Sequence, residues 1–276
     1  MPLSILQISD LHAEPKGVLA YGAADTASRT KEIRPWLRSM SEKVDLIVVT
    51  GDIACDGNPE AYEIVRRTLE GLAAPVAVLP GNHDRRSTMR RLLGPFIAPH
   101  TWSEERLDFD MDLGGARVFG LDTLVPGSHT GALPAETLAR LEREIDRDPR
   151  PALILMHHTP AHSGMPKMDE PFGGREAFLR IAAKRPNIRV ATGHMHRAIA
   201  SITHGVLITT APSVALGIEL DFGEEGGDAF RLAPPGYALH RLLDSGEWAT
   251  HFGAMPIPDT FAGPYRFKGV VNPHED

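Results

Sequence analysis

Leu46-Ile47-Val48-Val49-Thr50-Gly51-Asp52 is the stretch that decides the fold. A short apolar run with three β-branched members, closed by glycine, reads as a buried strand. It delivers one carboxylate, Asp52, to the loop behind it. A carboxylate so placed has two oxygens and can bridge two metal ions. Working outward, four more apolar runs end in residues of metal-ligand type. Leu3–Ile8 runs into Ser9-Asp10-Leu11-His12, and Val76–Leu79 into Pro80-Gly81-Asn82-His83-Asp84. Ala152–Met156 runs into His157-His158-Thr159-Pro160, and residues 188–191 lead to Gly193-His194-Met195-His196. In α/β folds, sites gather outside the carboxyl ends of strands, so these five loops can converge on one edge.

The segments between the runs are helical. Residues 26–42 carry Ile33, Trp36, Leu37 and Met40 at helical spacing, with Pro35 expected to kink or shorten the helix. Further helices are expected over 59–71, 85–93, 134–147 and 175–184. Residues 107–112 and 116–121, split by Gly114-Gly115, read as a hairpin. The tail is mostly strand, at 206–209, 237–242 and 248–252, with an acidic loop at 221–228. Alternating strands and helices followed by successive strands indicate an α/β protein with mixed sheets.

Composition narrows the function. The 276 residues suit one large domain spanning 1–276. No apolar run approaches the roughly 20 residues of a membrane-spanning helix, and the N-terminus lacks the basic region of a signal peptide. The single cysteine, Cys55, excludes an internal disulfide and agrees with a cytoplasmic location. A net charge of −7 without long like-charge runs argues against a nucleic-acid polymer as partner. Small anions stay open as substrates, because bound metal reverses the local sign.

The ligand types specify the chemistry further. Asp10 and His12 can reach one ion together if their turn is irregular, and Asp52 can give one oxygen to each of two ions. Asn82 offers a neutral oxygen; His157, His194 and His196 offer nitrogen. Such mixed ligation suits manganese, iron, zinc or cobalt rather than magnesium or calcium. Two divalent ions with two carboxylates and a hydroxide leave about one positive charge, which attracts a phosphate ester. Two ions roughly 3.5–4 Å apart can hold both nucleophile and phosphoryl oxygen. His83 is then free to protonate a leaving alkoxide or to hold phosphate. Asp84 either orients His83 or caps the helix that follows. Arg85 and Arg86 are expected on a solvated helix face, and Asp122 as an ordinary strand-end carboxylate. His158 is expected to support the site rather than to ligate. His129 and His162 lie in loops that can line a pocket.

In this order the motifs resemble the calcineurin-like metallophosphoesterases. Met168-Asp169, Gly131-x-Leu133, Ala211-Pro212-Ser213 and Pro235-Gly236-Tyr237 bring the resemblance toward bacterial class III cyclic-nucleotide phosphodiesterases and related glycerophosphodiesterases. It implies a four-layer α/β/β/α sandwich of two mixed sheets. It also implies a first ion held by Asp10, His12, Asp52 and His196, and a second held by Asp52, Asn82, His157 and His194. His83 would face the substrate, a small phosphodiester attacked by metal-bound hydroxide. Cyclic 3′,5′-nucleotides are the favoured class, glycerophosphodiesters or broader phosphate esters the alternative, and a non-catalytic scaffold the remote one. Relatives are often oligomers, so the β-rich part after about residue 205 is expected to form a cap or a contact between copies. The chain departs from its relatives at Phe172-Gly173-Gly174 and Val214-Ala215-Leu216, where the non-phosphate part of a substrate would be handled.

Overall fold

The computed structural model describes residues 2–98, 101–256 and 262–266. The five apolar runs are strands, and each hands the chain to a loop at the same end of the molecule. In the N-terminal half, β1 (Leu3–Ile8), β2 (Leu46–Thr50) and β3 (Val76–Leu79) pair in parallel. Between them lie α1 (Thr26–Glu32), α2 (Arg34–Ser41) and α3 (Pro59–Leu69). Pro35 sits in the first turn of α2, so residues 26–42 form two helices instead of one. Asn58 caps α3 by accepting from the Glu60 N–H at 2.9 Å, with Pro59 at its first position.

After α4 (Arg86–Leu92), a second sheet begins with the expected hairpin, β4 (Phe109–Asp112) against β5 (Arg117–Leu121). Then come α5 (Ala135–Arg147), β6 (Ala152–Met156), α6 (Arg175–Ala182) and β7 (Ile188–Thr192). The tail adds β8 (Ile199–Thr203), β9 (Val206–Thr210), β10 (Gly217–Ile218), β11 (Ala229–Leu232), β12 (Gly236–Leu242), β13 (Trp248–Ala254) and β14 (Ala262–Arg266). It does not stay separate. β12 and β13 extend the first sheet, in order β13-β12-β1-β2-β3, and β8 and β9 complete the second, β4-β5-β6-β7-β9-β8. The strands β10, β11 and β14 form a small third sheet.

Side-chain alternation along the strands builds the layers. On β1 and β2, Ile5, Leu46 and Val48 face Val118, Leu153 and Leu155 of the second sheet. Leu6, Ile8, Ile47 and Val49 face outward onto Ile33, Leu37, Tyr62 and Val65 of the first helical layer. On the far side, Phe119, Ile154 and Val190 meet Leu141, Phe178 and Leu179 of α5 and α6. Three apolar seams between four layers make the α/β/β/α sandwich. Both central sheets are covered on both faces, which is why their strands read as unbroken apolar runs rather than alternating ones.

Candidate metal centre

Backbone conformation marks the site before any side chain is considered. Among the described residues, only seven non-glycine residues have positive φ, and five of them are Asp10, His12, Asp52, His194 and His196. Left-handed backbone is disfavoured for such residues and persists only where the surroundings enforce it. Positive φ at both Asp10 and His12, 55° and 41°, supplies the irregular turn that lets residues two apart face one point.

The side chains converge. Ligand atoms of Asp10, His12, Asp52 and His196 all lie within 4.8 Å of one another. The Nε2 atoms of His12 and His196 are 3.0 Å apart. Asp52 Oδ2 lies 3.4 Å from His12 Nε2 and 3.3 Å from His157 Nε2. His157 Nε2 is in turn 3.1 Å from Asn82 Oδ1, and the His157 and His194 rings are 5.2 Å apart between centroids. One carboxylate oxygen therefore faces two groups of donors. The motif glycines follow from this crowding. A Cβ on Gly81 would overlap Asp52 Oδ1, and one on Gly51 would collide with the His157 ring.

The donor chemistry shows that the site fits cations. His157 Nδ1 donates to the Thr50 carbonyl at 2.8 Å, and His196 Nδ1 to the Leu216 carbonyl at 3.2 Å. A carbonyl only accepts, so each ring carries its proton outward and turns a lone pair inward. Those lone pairs meet carboxylate and amide oxygens, which also only accept. Buried acceptors facing acceptors require a positive charge between them. Burial opposes the charge of Asp52, yet His157 and His83 hold its carboxyl well below the usual range. Burial likewise opposes charge on His157, yet Asp52 and Asp10 carry it up to about 9. Burial and the neighbouring His157 push His194 down to about 3.

The remaining expected residues divide. His83 stays beside the cluster: its Nδ1 donates to the Cys55 carbonyl at 2.6 Å, and its backbone N–H to Asp52 Oδ1 at 3.0 Å. Its ring lines a cleft of about 320 Å³ together with His12, Asp52, Asn82, His129 and His194. His129 thus reaches the cleft, 6.1 Å from His83 between centroids, whereas His162 is exposed and lies 4.0 Å from Asp169.

Asp84 does neither of the jobs expected of it. Its oxygens accept from the backbone N–H groups of Gly81, Ile53 and Ala54 and from the Tyr62 hydroxyl, so it ties two ligand loops together. The residue preceding α4 is Arg85, with no side-chain cap. Burial, and then the charge of Asp52, push the Asp84 carboxyl up to about 6. Arg86 is not on a solvated face, and Asp122 is not ordinary. They form a buried bidentate pair at 2.6 and 2.8 Å. Tyr21 was hidden in a loop of small residues; its hydroxyl lies 3.2 Å from His12 Nδ1. Ser213, from the Ala-Pro-Ser motif, donates to the Asp10 carbonyl at 2.8 Å and so fixes the first ligand loop.

The profile of the calcineurin-like phosphoesterases matches residues 3–198, which hold every one of the converging side chains. The chain belongs to that family. This phosphoesterase is 31% identical over 250 residues to the 3′,5′-cyclic adenosine monophosphate phosphodiesterase CpdA of Pseudomonas aeruginosa, covering 89% of this chain and 88% of the relative. It is 26% identical over 273 residues to the glycerophosphodiester phosphodiesterase GpdQ of Enterobacter lignolyticus, covering 97% and 96%. Its fold matches a dimetal phosphatase from Danio rerio with a TM-score of 0.68 over 95% of this chain and 99% of that one, at 14% identity. No helix among the described residues is long and apolar enough to cross a membrane.

Proposed function

We propose that this phosphoesterase hydrolyses small phosphodiesters at a dinuclear metal site. The observation that carries this reading is the position of Asp52 Oδ2 between two donor groups. Asp10, His12, Asp52 and His196 would hold one ion, and Asp52, Asn82, His157 and His194 the other. Mixed nitrogen and oxygen donors suit manganese, iron, zinc or cobalt. Ions held there lower the pKa of water toward neutrality and draw charge from a phosphoryl oxygen.

This chain's own residues do the rest. His83 keeps its Nδ1 proton on the Cys55 carbonyl, which leaves Nε2 toward the cleft. A protonated ring there donates to the leaving oxygen or to a phosphoryl oxygen. Asp84 acts from behind, holding the loops that carry Asp52 and Asn82 at fixed separation. Ile218, Gly227 and Asp228 close one wall of the cleft, so the part of the chain after residue 205 serves as a cap.

Cyclic 3′,5′-nucleotides are the favoured class, in line with the relative from Pseudomonas aeruginosa. Glycerophosphodiesters are the second reading, supported by a relative that aligns over nearly the whole chain. Metal analysis with a panel of diesters and monoesters decides. Near two equivalents of transition metal and highest kcat/KM on a diester are expected. A chain that binds no metal, or prefers monoesters throughout, overturns the proposal. Chelation should abolish turnover and lower Tm, because ions tie loops of both sheets.

A further inference from the structure

Beside the main cleft lies a recess of about 10 Å³, lined by Thr130, Gly131, His158, Thr159, Glu170 and Phe172. It shares Met168, Glu170 and His194 with the cleft, so the two communicate. Its volume approximates that needed by the centre of one water molecule, about 10–15 Å³. Two buried polar atoms on its lining residues, His158 Nε2 and Glu170 Oε2, make no hydrogen bond. Orphaned groups of this kind are uncommon and costly, and they call for a partner.

The tautomer of His158 defines that partner. Thr123 Oγ1 accepts the His158 backbone N–H at 3.3 Å and lies 2.7 Å from His158 Nδ1. The hydroxyl hydrogen of this fully buried threonine therefore donates to Nδ1, which places the ring proton on Nε2. The His129 backbone favours the charged ring electrostatically, but Nε2 remains without a hydrogen bond. The recess thus presents one donor and one carboxylate acceptor. Lys167 does not neutralise the latter; its ammonium lies 3.5 Å from Glu225. An ammonium group would satisfy Glu170 and leave the His158 N–H unpaired. A hydroxyl satisfies both at once.

We infer that Glu170 and His158 form a subsite for a hydroxyl carried on one ester arm of the substrate, with Glu170 setting the preference for such arms. The inference rests on the phosphodiesterase reading and narrows it to hydroxyl-bearing diesters. It also gives a role to the stretch beginning at Phe172, which walls the recess and departs from the sequence of relatives.

The test uses the manganese-loaded full chain and two diesters, propyl p-nitrophenyl phosphate and its analogue with a terminal hydroxyl on the propyl arm. One hydrogen bond to a charged group gives the hydroxyl diester an advantage of about tenfold or more in kcat/KM. In Glu170→Ala the ratio should fall close to one, and Glu170→Gln, which keeps an acceptor, should restore part of it. A wild-type ratio near one means that the recess takes water only and overturns the inference. Equal losses on both diesters in Glu170→Ala, a merely structural effect, also overturn it. A wild-type chain that holds metal but cleaves neither diester removes the phosphodiesterase reading, and the subsite with it.

Discussion

The two sheets contribute unlike chemistry to one centre. Loops after β1, β2 and β3 supply both carboxylates, the amide oxygen and His12, together with His83. Loops after β6 and β7 supply only imidazoles: His157, His194 and His196. The first edge alone would place Asp10 and Asp52 near each other with little to offset their repulsion. The second alone would be a cluster of neutral rings. Only their apposition produces a pocket that prefers cations, so metal affinity reports how well the sheets pack. The same apposition is secured away from the metal ligands. Gln7 of β1 donates to Thr50 Oγ1 at 2.8 Å and, across the interface, to the Thr192 carbonyl at 3.0 Å. Arg86 of α4 crosses from the first half to Asp122, just beyond β5.

The largest effect should come from the residue that both groups share. Asp52→Ala is expected to strip metal and lower kcat/KM by at least about a thousandfold, measured by elemental analysis and diester turnover. Retained metal with retained activity would mean that the two edges do not meet at Asp52. His83 belongs to the first edge without ligating, so His83→Ala should lower kcat by about 10²–10⁴-fold with metal content preserved. Unchanged turnover would take it out of the mechanism.

Ties remote from the metal sharpen the comparison in stability rather than rate. Arg86→Ala leaves the Asp122 carboxylate buried without its bidentate partner, and a loss of about 3–5 kcal/mol is expected in denaturant titration. A loss below 1 kcal/mol would show that Arg106, whose guanidinium lies 3.7 Å from Asp122, compensates. The smallest effect is expected from Gln7→Leu. It leaves the Thr192 carbonyl and His240, 2.9 Å from Gln7 Oε1, short of a partner, costing about 1–3 kcal/mol. Metal affinity should weaken in parallel if packing of the sheets governs the centre. Weakened stability with unaltered metal affinity would separate the two.

The strands flanking the site were legible because strands covered on both faces are uninterrupted apolar runs, and a run such as Leu46–Thr50 has no other reading. Edge positions were harder. Ile199–Thr203 alternates between partly buried and exposed residues, and Ile202 is 76% exposed, so its sequence carries little apolar signal. Its pairing with β9 is a property of the neighbour. Arg86 and Asp122 were misread for a similar reason: a charged residue on a short helix looks solvated until a partner 36 residues away is brought to it. Asp84 looked like a cap or a catalytic partner because its neighbours in sequence are His83 and Arg85, whereas its hydrogen bonds reach Ile53, Ala54 and Tyr62.

What the chain's order of residues settled by itself was local: apolar runs that must be strands, breaks at Pro35 and the glycines, and ligand types at strand ends. Tertiary structure alone decided which nitrogen of each histidine faces inward, which carboxylate serves as scaffold, and that a donor and an acceptor share one small recess. Those features depend on the direction of side chains across the interface between two sheets. That direction is set by packing among residues far apart in the chain, and no window of sequence contains it.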